Sequence, residues 1–159
     1  MSRLLVIILS LALLSCDKES HDGNVLSNPT LANQLRQSAD TVYVNDNALV
    51  LTSYTYRDFM PIAEENGSDM RSSVKLTDVD SAAITGVIEL KRNFVLNSND
   101  IWIASYKNPN RNADYQVSAT VTKGPKWGPD VSVDLVCEFE IYGVTYRLID
   151  RNTNVEATY

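Results

Sequence analysis

From Thr41 onward, apolar and polar side chains alternate with the two-residue period of a strand that buries one face. The period is cleanest where Tyr115, Val117, Ala119 and Val121 alternate with Gln116, Ser118, Thr120 and Thr122. Thr41–Val44 and Ala48–Tyr56 flank Asn45-Asp46-Asn47, a tight-turn composition, and predict a hairpin. Val131–Tyr142 and Val144–Asp150, joined around Tyr142-Gly143, predict a second. Ile84–Arg92 and Asp100–Tyr106 predict two more strands, and Val155–Thr158 predicts a last edge strand. Arg57–Ser73 lacks a period and is rich in Glu, Asn, Gly and Ser, which predicts a long loop. Seven or eight short strands, most with one apolar face, suit two antiparallel sheets packed face to face. The fold class is therefore all-β, an immunoglobulin-like sandwich over residues 41–159, with a small β-barrel as the alternative.

Two stretches depart from this period. Asn28-Pro29 offers a cap and a first-turn proline, and Leu31 and Leu35 stand one helical step apart, which predicts a short helix ending near Ser38. Nearer the start, Leu4–Leu14 (LLVIILSLALL) is apolar except for Ser10 and follows Arg3. At about 1.5 Å per residue it covers roughly half of a ~30 Å hydrocarbon core, the length of a signal-peptide apolar region. It ends in Leu13-Leu14-Ser15-Cys16, which resembles the lipobox of bacterial lipoprotein precursors. The resemblance covers residues 1 to about 19. It implies cleavage before Cys16, a diacylglyceryl group on the Cys16 thiol and an acylated amine. Several buried acyl chains anchor firmly where one does not. Asp17-Lys18-Glu19 is similar to the charged signals that send some Gram-negative lipoproteins to the surface, which favours outer membrane or cell surface over inner membrane. Residues 1–15 then form the signal peptide, and 16–40 the lipidated cysteine, a polar tether (Asp17–Ser27) and the short helix.

Removing fifteen residues from 159 leaves 144, enough for one domain with a single core. All 20 acids but only 13 of the 14 bases lie beyond Ser15, a net charge of −7. That balance argues against a nucleic-acid partner and against electrostatic capture by anionic lipid, leaving acyl chains on Cys16 as the membrane contact. With Cys16 acylated, Cys137 has no partner in the chain. It shares a face with Val131, Val133, Leu135, Phe139 and Ile141, so it reads as a small core hydrophobe.

The one histidine, His21, falls in the tether, which argues against Ser-His-Asp, Cys-His and multi-histidine zinc arrangements. No cofactor and no metal are implied. Glu64–Asp69 is oxygen-rich without calcium-loop spacing and reads as a solvated acidic loop. Trp127 in GPKWGP and Trp102 in DIWIASY are the candidate binding side chains, with Tyr106 and Asn108 beside them at the sandwich end. The competing reading folds Trp127 back as a plug, the commoner fate of a large aromatic. Tyr54, Tyr56, Tyr106, Tyr115, Tyr142 and Tyr146 are either strand-face packing or an exposed aromatic patch. Arg57, Asp58 and Lys126 form a candidate structural corner, Arg57 pairing with Asp58 to clamp the long loop.

The distinctive runs Tyr56–Pro61 and Gly124–Pro129 give the β domain the general look of small envelope lipoproteins, a likeness that carries no functional residues. The function expected is that of a lipid-anchored envelope protein, a non-catalytic ligand- or protein-binding or structural module. Its partner would be an envelope protein or a glycan, or another protein added at an exposed sheet edge. The alternative is a carboxylate-dependent hydrolase acting on an envelope glycan or peptide.

Overall fold

The computed structural model describes residues 24–159; the lipobox-like run Leu13–Cys16, on which the lipoprotein expectation rests, lies outside the described residues. The elements in chain order are β1 (Asn24–Ser27), α1 (Pro29–Arg36), β2 (Thr41–Val44), β3 (Asn47–Asp58), β4 (Met70–Asp78), β5 (Ile88–Asn97), β6 (Asp100–Ser105), β7 (Asn110–Ala113), β8 (Gln116–Gly124), β9 (Ser132–Ile141) and β10 (Val144–Thr158). The fold is all-β, with ten strands among the described residues rather than seven or eight.

The strands form one open path, β1-β6-β5-β9-β10-β3-β4-β8-β7, with β2 attached to β3. Its ends are not bonded to each other, so it is not a closed barrel. It folds into two layers because β10 belongs to both. Val144–Asn154 pairs antiparallel with β9, then Val155–Thr158 pairs parallel with Thr55–Asp58 of β3. A register shift between Asp150 and Thr153 turns the strand, and Asn152 takes φ 56° there. What the sequence divides into two strands is thus one bent strand.

Between the layers lies the main core. The first sheet contributes Leu90, Val95, Trp102, Leu135, Cys137 and Phe139, and the second Leu49, Leu51, Val74, Leu76, Val117 and Val121. This two-layer arrangement is β-sandwich-like, with one parallel pairing (β10 with β3) in an otherwise antiparallel path. The tight hairpin at Tyr142-Gly143 has both central residues at positive φ (54° and 75°), the geometry that matches strand twist.

α1 covers the outer face of the first sheet. Asn28 caps it, accepting a hydrogen bond on Oδ1 from the Leu31 N–H at 3.0 Å, and Pro29 opens its first turn. Ala32 and Leu35 bury against Phe94, Leu96, Ile101, Val136 and Ile149. Among the described residues, no helix lies over the outer face of the second sheet.

Three strands lie where none was expected. β4 sits where the long loop was predicted to end, because Ser72 and Asp78 occupy inward positions and interrupt its apolar period. β7 lies in the KNPNRNA loop, and β1 in the last residues of the predicted tether. β5 begins four residues later than predicted, since Gly86 at φ 91° belongs to the preceding loop.

Candidate functional site: the bare face of the second sheet

Strand alternation sets which side chains face outward on the second sheet. On β3 these are Thr52, Tyr54 and Tyr56, on β4 Arg71, Ser73, Lys75 and Thr77, and on β8 Ser118, Thr120 and Thr122. Register then builds rows across the strands. Tyr54 lies opposite Ser73, and Ser73 opposite Thr120; Thr52 lies opposite Lys75, and Lys75 opposite Ser118. Side chains directly opposite stand close enough to act together.

Tyr54 and Tyr56 stack with centroids 5.3 Å apart and planes at 27°, and Tyr54 is 47 % exposed. Ser73 Oγ and Thr120 Oγ1 share a hydrogen bond of 2.9 Å. Asn112 Nδ2 donates to Ser118 Oγ at 3.0 Å, drawing β7 onto the same surface. Thr52, Tyr54, Ser73, Lys75, Ser118 and Thr120 line a shallow groove of about 240 Å³. An aromatic surface beside fixed hydroxyls and a cation can stack on a ring and hydrogen-bond its substituents.

The expected binding cluster of Trp127, Trp102, Tyr106 and Asn108 does not form at the sandwich end. Trp102 is 0 % exposed in the core, and its ring lies so close to Gly124 that a Cβ there would sit 2.8 Å from it. Tyr106 is 8 % exposed, and its hydroxyl donates to Asn93 Oδ1 at 2.8 Å inside the core. Neither ring reaches a ligand, because both lie on or just beyond β6 facing the opposite sheet. Asn108 is exposed in the β6–β7 loop at φ 53°. Trp127 is half-buried and packs against the core at the sandwich corner.

The structural corner forms with different partners from those expected. Arg57 and Asp58, adjacent on a strand, point to opposite faces and do not pair. Arg57, 1 % exposed, donates Nε to Ser68 O (3.0 Å), Nη1 to Lys126 O (3.2 Å) and Gly128 O (2.6 Å), and Nη2 to Asn66 O. It lies 5.0 Å over the Phe59 ring. Burial pushes its pKa down, opposed by the charge of Asp69. Asp58 accepts from the Met60 N–H, and Lys126 pairs with Glu64. The oxygen-rich loop thus surrounds the protein's own guanidinium.

Cys137 is buried and free, and burial pushes its thiol up to about 12, with the Tyr106 hydrogen bond opposing. At neutral pH it is a thiol and a core side chain. On the outer face of the first sheet, Arg92 and Arg147 both donate to Glu138, at 2.7 and 2.9 Å through Nε. Burial raises the Glu138 pKa, and the two arginines more than reverse this, leaving it lowered.

Tyr54 and Tyr56 are visible in the sequence as alternate residues of a strand. Their groove is not, because its centre is β4, whose polar inward positions hide the period. Compared with known proteins, the chain matches no family model, no curated protein and no solved structure.

Proposed function

We propose that this chain is a lipid-anchored protein of the Gram-negative envelope whose sandwich is a non-catalytic binding module. Its ligand is a saccharide lying on the outer face of the second sheet. The stacked Tyr54–Tyr56 pair, facing solvent beside a hydroxyl-lined groove, is the observation that carries this reading. A sugar ring has an apolar face for the tyrosines and equatorial hydroxyls for Ser73 and Thr120. Placement supports the same reading. The described chain begins at Asn24 on the far edge of the first sheet, so a tether leading there leaves the second sheet's outer face open. The lipobox at Leu13–Cys16 supports the anchor.

Affinity gels cast with envelope polysaccharides test the site. Tyr54→Ala weakens retardation about tenfold, roughly 1.4 kcal/mol, whereas Trp127→Ala leaves it unchanged. Equal retardation of wild type and Tyr54→Ala in every gel overturns the assignment.

A further inference from the structure

We infer that the saccharide is an acidic glycan whose carboxylates are met by Arg71 and Lys75; this rests on the saccharide reading above and specifies its ligand class. β4 runs down the middle of the bare face, with Arg71, Ser73 and Lys75 outward in succession. Both cations are exposed, and at about 3.4 Å per residue they stand roughly 13 Å apart along the strand. Tyr54 and Tyr56 flank them on β3, Ser118 and Thr120 on β8.

Elsewhere in the described residues most cations have partners, Lys107 in the β6–β7 loop being an exposed exception on a different element. Arg36 pairs with Asp134, Lys91 with Glu89, Arg92 and Arg147 with Glu138, Lys126 with Glu64, and Arg151 with Asp40. Arg57 and Arg111 are taken up by backbone carbonyls. Among the described residues, Arg71 and Lys75 make no ion pair. A chain of net charge −6 has acids to spare, yet none stands in the rows of Ser73 or Lys75. The acids nearest Arg71 are otherwise engaged or displaced. Glu64 is held by Lys126, Asp69 acts on Arg57, and Glu156 neighbours Tyr56 on the far side from β4.

The face therefore presents two cations that make no ion pair, beside an aromatic stack and hydroxyls. A glycan carboxylate can take a bidentate bond from Arg71 or a point contact from Lys75 while its ring lies on Tyr54.

The test compares polygalacturonate and alginate with the neutral ester of each, using the full mature chain in micelles of a nonionic detergent. The acidic form of at least one polysaccharide binds about tenfold more tightly than its ester, the yield of two exposed ion pairs, and salt erases the difference. The double variant Arg71→Gln/Lys75→Gln, with unchanged thermal unfolding, binds acid and ester alike, whereas Tyr54→Ala weakens both. Equal binding of acid and ester by wild type overturns the acidic preference and leaves the saccharide reading standing. Binding of neither form of either polysaccharide overturns both. A single-stranded oligonucleotide held as tightly as the acidic glycan overturns the ligand class.

Discussion

The guanidinium of Arg57 sits where the loop 59–69 meets the turn 124–130, and its N–H groups are shared among four backbone carbonyls. A lysine has neither the fork nor the number of donors to replace it. Arg57→Leu leaves those carbonyls without a donor, and a loss of roughly 3–4 kcal/mol is expected. Urea unfolding followed by tryptophan fluorescence measures it, and Arg57→Lys falls between. Asp78 plays a similar part at the opposite end. It accepts from the Ala82, Ala48 and Asp80 N–H groups and from Asn47 Nδ2. The Ala82 bond lowers its pKa most, burial opposes, and the other donors add to the lowering. Glu138 is also held low in the folded state. A carboxylate depressed by folding contributes stability that is complete above its unfolded pKa and lost as pH falls through the folded one. The urea midpoint is therefore expected to be flat near neutrality and to fall below about pH 4. Asp78→Asn lowers the plateau and removes part of the acid fall.

Asp150 shows how one strand serves two sheets. β3 is bonded to β2 as far as Val50 and to β10 only from Thr55, so the stretch between lacks a strand partner on that side. Asp150, where β10 bends, fills the gap. Its Oδ2 accepts from the Ser53 N–H and the Ser53 hydroxyl, each at 2.7 Å. Asp150→Ala orphans a part-buried N–H and is expected to cost about 1–3 kcal/mol. Hydrogen exchange checks the location, with protection falling first at Ser53 and at Val155–Thr158. Asp150→Asn keeps an acceptor and loses less. α1 is the contrasting case, legible in advance because its cap, its proline and its Leu31/Leu35 spacing all lie within ten residues. β4 was illegible for the opposite reason. Ser72 and Asp78 point inward because Thr55 accommodates the first, and Asn47, Ala48 and the turn at Asp80–Ala82 the second, and a period written in apolar residues cannot register that.

At the level of the whole molecule, the proposed reading gives the anchor and the binding face to opposite parts of the chain. β1 brings the described chain in on one sheet's edge, and the other sheet keeps its outer face clear. Intact-mass measurement of the protein from membranes tests the anchor, with an amino terminus at Cys16 and added acyl mass expected. An unmodified sulfur with the leader attached overturns it. The acidic balance of the chain acquires its meaning only in three dimensions, where paired acids leave Arg71 and Lys75 exposed on one face. Alternation of apolar and polar residues determined by itself an all-β domain with a short helix at Pro29–Arg36, because strand period, turn chemistry and helix caps are local and written in neighbouring side chains. The open strand path then decided for a sandwich over a closed barrel. Which tyrosines reach water, which tryptophan is core and which sheet stays bare came from folding alone. Those outcomes depend on which strands become neighbours and where the helix lands, and contacts between residues tens of positions apart settle both.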